Sequence, residues 1–137
     1  ALKFIVPKNM SEKIKFLIVD DELANCELLK DFLATRFEDE SNIEIAYNGE
    51  QAIEMIEKSP QPDCVLLDIE MPVIDGLQVL KLLKPRFPDI KFIMVTANKS
   101  VSKMMDSIMS EAFDYVPKPI DFDDLEKKIL SALSQNK

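Results

Sequence analysis

At 137 residues, with 47% hydrophobic and 31% charged side chains, the chain has the size and composition of one globular domain. A chain of this length buries enough apolar surface to fold without a disulfide or a structural metal. Its formal net charge of −8 argues against nucleic-acid binding, because lysine and arginine have to neutralise the phosphates in such complexes.

Two further features of the composition limit the chemistry. The chain has no histidine, so any catalysis would have to use carboxylates, hydroxyls and lysines. Cys26 and Cys64 have apolar neighbours and neither metal-ligand nor redox spacing, so we expect two buried thiols. The apolar runs are strand-sized and the first residues do not resemble a secretion signal, so we expect a cytoplasmic protein without membrane contact.

Short apolar segments alternate with amphipathic segments along the chain. Residues 1–12 are set aside as an N-terminal extension, and residues 13–137 are taken as the domain. β-Branched and aromatic runs predict strands over residues 15–19, 43–46, 64–67, 91–95 and 114–116. Helical spacing predicts helices over residues 22–37, 49–58, 77–83 and 101–109, and a last helix capped by Asp121. The apolar stripe predicted for the first helix consists of Leu23, Cys26, Leu29 and Leu33.

The predicted strands are apolar on both faces, which requires helices on both sides of the sheet. Right-handed crossovers then favour an α/β fold, a doubly wound five-stranded parallel sheet in the order 2-1-3-4-5. In this flavodoxin-like arrangement, ligands bind beyond the carboxyl ends of the strands.

Polar residues follow four of the five predicted strands. Asp20 and Asp21 follow the first strand, Asp68 the third, Thr96 the fourth and Lys118 the fifth. Because the strands are parallel, these side chains are expected to meet at one end of the sheet. Each residue alone has an ordinary explanation, such as a helix-start acid or a solvated lysine, but together they predict a single site.

The residue types at this site favour phosphoryl chemistry. Three neighbouring carboxylates repel one another unless a cation lies between them, and Mg²⁺ is the ion that prefers such oxygen ligands. A phosphoryl group there would be held by Lys118 and Thr96, and Asp68 is the best-placed acceptor for an aspartyl phosphate.

The motifs at these positions resemble those of response-regulator receiver domains of two-component signalling. The resemblance rests on Asp20-Asp21-Glu22, on Asp68-Ile69-Glu70-Met71-Pro72 continuing to Asp75-Gly76, on Thr96-Ala97, and on Tyr115 followed by Lys118-Pro119-Ile120. It extends over roughly residues 13–133, with four separated motifs in the same order as in the family.

The resemblance implies a metal site and a phosphoacceptor. The side chains of Asp21 and Asp68 and the backbone carbonyl of Glu70 would bind Mg²⁺, with Asp20 acting through a coordinated water. Asp68 would accept the phosphoryl group from a histidine kinase or a histidine phosphotransfer domain in a phosphorelay. The Glu70 side chain occupies a position that influences how long the phosphoryl group persists.

The resemblance also implies a switch. Lys118 would hold a phosphate oxygen, Thr96 would turn to bond the phosphate, and Tyr115 would turn inward behind it. Pro119 would follow a cis peptide bond. Such a domain assists its own phosphorylation and dephosphorylation but is not a conventional enzyme.

The same resemblance places the output surface on the fourth helix, the fifth strand and the last helix, where a partner or effector domain would bind. A phosphorylation-dependent dimer is left open. The alternatives are a Mg²⁺-dependent phosphatase of the haloacid-dehalogenase type, in which an aspartate would replace Glu70, and an interaction module that works without phosphorylation. A flavodoxin-type cofactor site is disfavoured because Asp20 and Asp21 would repel its phosphate.

Overall fold

Five parallel strands form one sheet in the order β2-β1-β3-β4-β5. The computed structural model describes residues 14–37, 42–58, 60–97 and 112–134. The strands are β1 (Phe16–Val19), β2 (Ile43–Ala46), β3 (Cys64–Asp68), β4 (Lys91–Thr96) and β5 (Asp114–Pro117). The helices are α1 (Leu23–Phe37), α2 (Gly49–Glu57), α3 (Gly76–Leu83) and α4 (Phe122–Leu133). The predicted helix over residues 101–109 and the predicted extension over residues 1–12 lie outside the described residues.

The predicted α/β fold and strand order are confirmed, and the register of the strands determines where the polar residues lie. Val19 of β1 pairs with Leu67 of β3, so the next residues, Asp20 and Asp68, are neighbours. Thr96 of β4 pairs with Pro117 of β5, so Lys118 comes one step beyond that pair. The carboxyl ends of these four strands therefore reach the same edge of the sheet.

Apolar side chains cover both faces of the sheet, as expected for strands that are buried on both sides. Helices α2 and α3 cover one face, where they pack with strand residues such as Leu67 and Phe92. Helices α1 and α4 cover the other face, where they pack with strand residues such as Leu66 and Ile93. Alternate residues of each strand point to opposite faces, which explains why neighbours in sequence belong to different clusters.

The helix starts follow from capping side chains. Asn48 Oδ1 accepts a hydrogen bond from the Gln51 N–H at 2.8 Å at the start of α2. Asp75 and Gln78 form a reciprocal capping box at the start of α3. The predicted cap of the last helix is confirmed, because Asp121 Oδ1 accepts from the N–H groups of Asp123 and Asp124 at 3.1 and 3.2 Å.

One member of the predicted apolar stripe of α1 is wrong. Leu23 is 63% exposed, whereas Cys26, Leu29 and Leu33 are buried as predicted. Leu23 is the first residue of α1, and the spacing of apolar residues cannot show where a helix begins to contact the sheet. Phe32, which was not part of the predicted stripe, is buried beside Leu33.

Candidate functional site

Two aspartates lie buried at the ends of neighbouring strands. Asp20 follows β1 and is 2% exposed, and Asp68 ends β3 and is 3% exposed. Together with Thr96, they are the buried polar residues of the described part of the chain. Because burying a carboxylate is costly without compensation, these two residues mark a place where a cation or a proton has to be held.

A third carboxylate completes an acidic cluster at this edge of the sheet. Asp20, Asp21 and Asp68 each contribute one oxygen atom, and these atoms lie within 4.8 Å of one another. Asp21 is exposed, so the cluster opens to water on one side. A set of carboxylate oxygens open to solvent suits Mg²⁺, which usually keeps several of its own waters.

The ammonium group of Lys118 lies between the two buried carboxylates. Its Nζ atom is 3.6 Å from Oδ2 of Asp20 and 3.5 Å from Oδ1 of Asp68. The peptide bond from Lys118 to Pro119 is cis, as predicted, and the Lys118 N–H donates to the Thr96 carbonyl at 2.8 Å. The ammonium therefore lies within ion-pair distance of two of the three carboxylates of the cluster.

The pKa values at the site follow from burial and from this charge balance. Burial and the charge of Asp20 raise the pKa of Asp68 to about 7, although Lys118 and the Glu70 N–H act in the opposite direction. Burial also raises the pKa of Asp20, against the N–H of Glu22 and the charge of Lys118. Burial lowers the pKa of Lys118, but Asp68 and Asp20 outweigh it, so this pKa lies above its ordinary value.

The loop after β3 holds Glu70 over the end of β4. The Glu70 N–H donates to Oδ1 of Asp68 at 3.4 Å, while its carboxylate accepts from the Thr96 hydroxyl at 3.1 Å and the Ala97 N–H at 3.2 Å. The sequence singled out Glu70 for its position, but nothing in the sequence predicted the bonds to Thr96 and Ala97. The Thr96 hydroxyl and the Ala97 N–H are therefore both engaged by the Glu70 carboxylate.

The backbone behind Asp68 is tightly packed. A Cβ atom added to Gly76 would lie 2.3 Å from the Asp68 carbonyl oxygen and 2.9 Å from Cα of Ile69. The Gly76 N–H also donates to the Ile69 carbonyl at 2.9 Å. Glycine is therefore needed for α3 to begin this close to the end of β3. In the same loop, Val73 has a φ of 69° and is 96% exposed.

Tyr115 lies on β5, half-buried against the face covered by α2 and α3. Lys128 of α4 donates to its backbone carbonyl at 2.9 Å, and the ammonium lies 5.9 Å from the centre of its ring. Lys128 also pairs with Asp124 at 3.0 Å. The contacts of Tyr115 therefore join β5 to α4, on the surface predicted to carry the output.

A cysteine supports the loop after β1. The Cys26 thiol donates to the Asp20 carbonyl at 3.3 Å, and burial raises its pKa to about 11. Burial likewise raises the pKa of Cys64, and both thiols are buried, as predicted. A high pKa suppresses the reactive thiolate, which argues against redox chemistry at either position.

A family model described as "Response regulator receiver domain" matches residues 16–130. This chain is a response regulator receiver domain. It belongs to the family whose members act in two-component systems.

Curated relatives of this receiver domain are longer response regulators. The transcriptional regulatory protein ZraR of Klebsiella oxytoca is 34% identical over 92% of this chain, which spans 28% of the relative. The response regulator MprA of Mycobacterium ulcerans is also 34% identical, over 90% of this chain and 52% of its own length. The chain thus spans about half or less of these two relatives.

Solved receiver structures have the same fold. A CheY-like receiver domain from Methanospirillum hungatei superimposes with a TM-score of 0.78 at 31% identity, over 89% of this chain and 94% of the other. The response regulator TrrA of Thermotoga maritima, solved in complex with Mg²⁺ and BeF, gives a TM-score of 0.74 at 38% identity, over 88% and 99%. No helix among the described residues of this receiver domain is long and apolar enough to cross a membrane.

Of the predicted site residues, the receiver domain brings Asp20, Asp21, Asp68 and Lys118 into one cluster. Thr96 contacts that cluster's neighbour, Glu70, through its hydroxyl. The metal-binding role of the Glu70 carbonyl and the switch roles of Thr96 and Tyr115 stay predictions.

Proposed function

We propose that Asp68 of this receiver domain accepts a phosphoryl group from the phosphohistidine of a histidine kinase or phosphotransfer protein. The observation that carries the proposal is the position of Lys118 Nζ, within 3.6 Å of both buried carboxylates of the acidic cluster. A lysine held against an acceptor carboxylate can neutralise the charge that develops during phosphoryl transfer.

Asp68 is a better acceptor than the other two acids. Oδ1 of Asp20 accepts a 2.9 Å hydrogen bond from the Glu22 N–H, whereas the equivalent bond from the Glu70 N–H to Asp68 is longer, at 3.4 Å. Asp21 is exposed beyond the end of β1, and Asp68 ends the central strand beside Lys118. In the proposed step, one of its carboxylate oxygens bonds to phosphorus while the P–N bond of phosphohistidine breaks, and the leaving imidazole takes its proton from solvent.

The acidic cluster would hold Mg²⁺ for this step. Asp21, Asp68 and the Glu70 carbonyl would bind the ion, and Asp20 would act through a coordinated water. The ion would supply positive charge beside the phosphoryl oxygens, and its charge would favour the ionised form of Asp68, which is the form that attacks. Lys118, which follows β5, would then hold a phosphoryl oxygen.

Phosphorylation would be transmitted through Thr96 and Tyr115. Thr96 would exchange its bond to Glu70 for one to the phosphoryl group, and Tyr115 would turn inward. The output surface would consist of β5, α4 and the segment over residues 101–109, and it would bind an effector domain or partner. A dimer that forms on phosphorylation fits the same surface. The chain would act as a phosphoacceptor and not as a conventional enzyme.

The proposal is tested by incubation with Mg²⁺ and acetyl phosphate, followed by intact mass measurement at neutral pH. We expect a gain of one phosphoryl group that is lost in Asp68→Asn. Asp89→Asn is the matched control, because Asp89 is exposed before β4, at the opposite end of the sheet. Phosphorylation that persists in Asp68→Asn would contradict the assignment.

Two alternatives predict other results. A module that works without phosphorylation would gain no phosphoryl group with either acetyl phosphate or a phosphorylated kinase. A haloacid-dehalogenase-type phosphatase would hydrolyse small phosphate esters with turnover, and membership of the receiver family argues against it.

A further inference from the structure

The Glu70 carboxylate uses both of its oxygens on the end of β4. Oε2 accepts from the Thr96 hydroxyl at 3.1 Å, and Oε1 accepts from the Ala97 N–H at 3.2 Å. Thr96 is 3% exposed, whereas the Glu70 residue lies at the surface. We call this two-point contact the Glu70 latch.

The latch lies directly beside the proposed acceptor. Glu70 comes two residues after Asp68, and its N–H donates to the Asp68 carboxylate at 3.4 Å. The neighbouring Ile69 N–H continues the pairing of β3 with β4 by donating to the Val95 carbonyl at 2.9 Å. This pairing holds the loop over β4, so the Glu70 side chain reaches across from the Asp68 strand to the Thr96 strand.

We propose that the Glu70 latch competes with the phosphoryl group on Asp68 and thereby makes Glu70 a positioning residue that sets phosphoryl occupancy. This inference rests on the proposed function of Asp68. A carboxylate and a phosphoryl group are both anions that accept hydrogen bonds, so the donors at Thr96 and Ala97 can serve only one of them fully. In the unphosphorylated protein the Glu70 carboxylate accepts from these donors, and after phosphorylation it is released to solvent.

Two properties of Glu70 could weaken phosphoryl binding, namely its charge and its reach. Charge alone would act on any anion at Asp68 through space, whereas the latch needs a side chain long enough to touch both donors. Glu70→Asp keeps the charge but is one methylene shorter, so it separates the two effects. Glu22→Gln removes a nearby negative charge that raises the Lys118 pKa, and the Glu22 carboxylate accepts from the Asn25 side-chain amide at 2.6 Å.

The experiment measures the affinity of the Mg²⁺-loaded protein for beryllofluoride, which mimics the phosphoryl group and is not hydrolysed. Equilibrium binding therefore separates occupancy from any effect of Glu70 on water attack. We expect Glu70→Ala and Glu70→Asp to bind beryllofluoride about three- to thirty-fold more tightly than the protein without a substitution. A change of this size corresponds to the loss of one charged hydrogen-bonded contact. Glu22→Gln is expected to change the affinity less than either.

The amide signal of Ala97 provides an independent reading of the latch. In the protein without beryllofluoride, Glu70→Ala and Glu70→Asp should both shift this signal, because its acceptor is gone. If Glu70→Asp binds like the unmodified protein while Glu70→Ala binds more tightly, charge is the cause and the latch is wrong.

The two proposals fail in different ways. If the unmodified protein binds beryllofluoride at Asp68 but Glu70→Ala binds no more tightly, only the latch is refuted. If no variant binds beryllofluoride and none gains a phosphoryl group from acetyl phosphate, the function of Asp68 is refuted and the latch with it.

Discussion

Lys118 Nζ lies 3.5 Å from Oδ1 of Asp68, so an ammonium from the end of β5 meets a carboxylate from the end of β3 across the intervening strand. The two residues are 50 positions apart in the sequence. Their contact makes the charge of Asp68 depend on a residue contributed by a different strand.

Replacing Lys118 with methionine should slow phosphoryl transfer to Asp68. We expect the rate with acetyl phosphate to fall by roughly 100-fold, because one preorganised cation is lost from the site. The pKa of Asp68 should rise further above about 7, because Lys118 acts to lower it. Phosphorylation is followed by mass and the carboxyl titration by NMR. Lys81→Met, at an exposed position on α3, is the control, and equal rates in the two variants would contradict the role of Lys118.

The metal-free protein should lose stability as the pH rises towards 8. The folded-state pKa of Asp68 is about 7, against about 3.9 for an unfolded aspartate. Between these two pH values the folded state keeps a proton on Asp68 that the unfolded state has lost. The stabilisation that this proton gives to the folded state is full below about pH 4 and is lost as the pH rises through about 7. Asp20 acts in the same direction. The raised pKa of Lys118 matters only at higher pH.

Urea denaturation at pH 5 and pH 8 tests this expectation. The unfolding free energy should fall from pH 5 to pH 8, and this fall should be smaller in Asp68→Asn by on the order of 1 to 3 kcal/mol. Mg²⁺ should stabilise the unmodified protein more at pH 8 than at pH 5, because protons compete for the carboxylates. An unchanged pH dependence in Asp68→Asn would show that this carboxyl is not the titrating group.

Gly76→Ala should destabilise the fold and disturb the site together. The added Cβ would lie 2.3 Å from the Asp68 carbonyl oxygen, and backbone atoms cannot move aside as a flexible side chain can. We expect a loss of about 2 kcal/mol or more in unfolding free energy and weaker Mg²⁺ binding. Thermal unfolding and Mg²⁺ titration measure the two effects. A variant as stable as the original protein would show that α3 can shift away from β3.

Val73→Asn should stabilise the protein without changing phosphorylation. A β-branched residue is unfavourable at the φ of 69° that Val73 adopts, whereas asparagine tolerates it better. The side chain is 96% exposed, so its replacement removes little packing. We expect a gain of about 1 kcal/mol, measured by urea denaturation. Val73→Ala, which keeps the same backbone demand without the branch, should gain less.

The sequence was sufficient to predict the strands, their order and the convergence of the acids with Lys118. Apolar runs identify buried strands, and parallel strands place their carboxyl ends together, so a residue's position just after a strand predicts its location. Asp20, Asp68 and Lys118 follow this rule. For the described elements whose bounds were predicted, the predicted and observed bounds differ by at most one residue.

Other contacts could not be predicted from sequence. The Glu70 carboxylate reaches Thr96 because of the path of a short loop, and the thiol of Cys26 meets the Asp20 carbonyl because of how α1 approaches β1. Leu23 belongs to the apolar spacing of α1 but lies beyond the packed part of the helix. Each case depends on the placement of one element against another, which spacing along the chain does not encode.

The pairing of Val19 with Leu67 determines which face of the sheet the side chains of the next residues, Asp20 and Asp68, point to. Side chains alternate between the two faces of a sheet, so one residue inserted between Leu67 and Asp68 would turn the Asp68 carboxylate towards α2 and α3, away from Asp20. An insertion in the loop before β3 would leave that orientation intact. The number of residues between Leu67 and Asp68 therefore fixes which face of the sheet the Asp68 carboxylate points to.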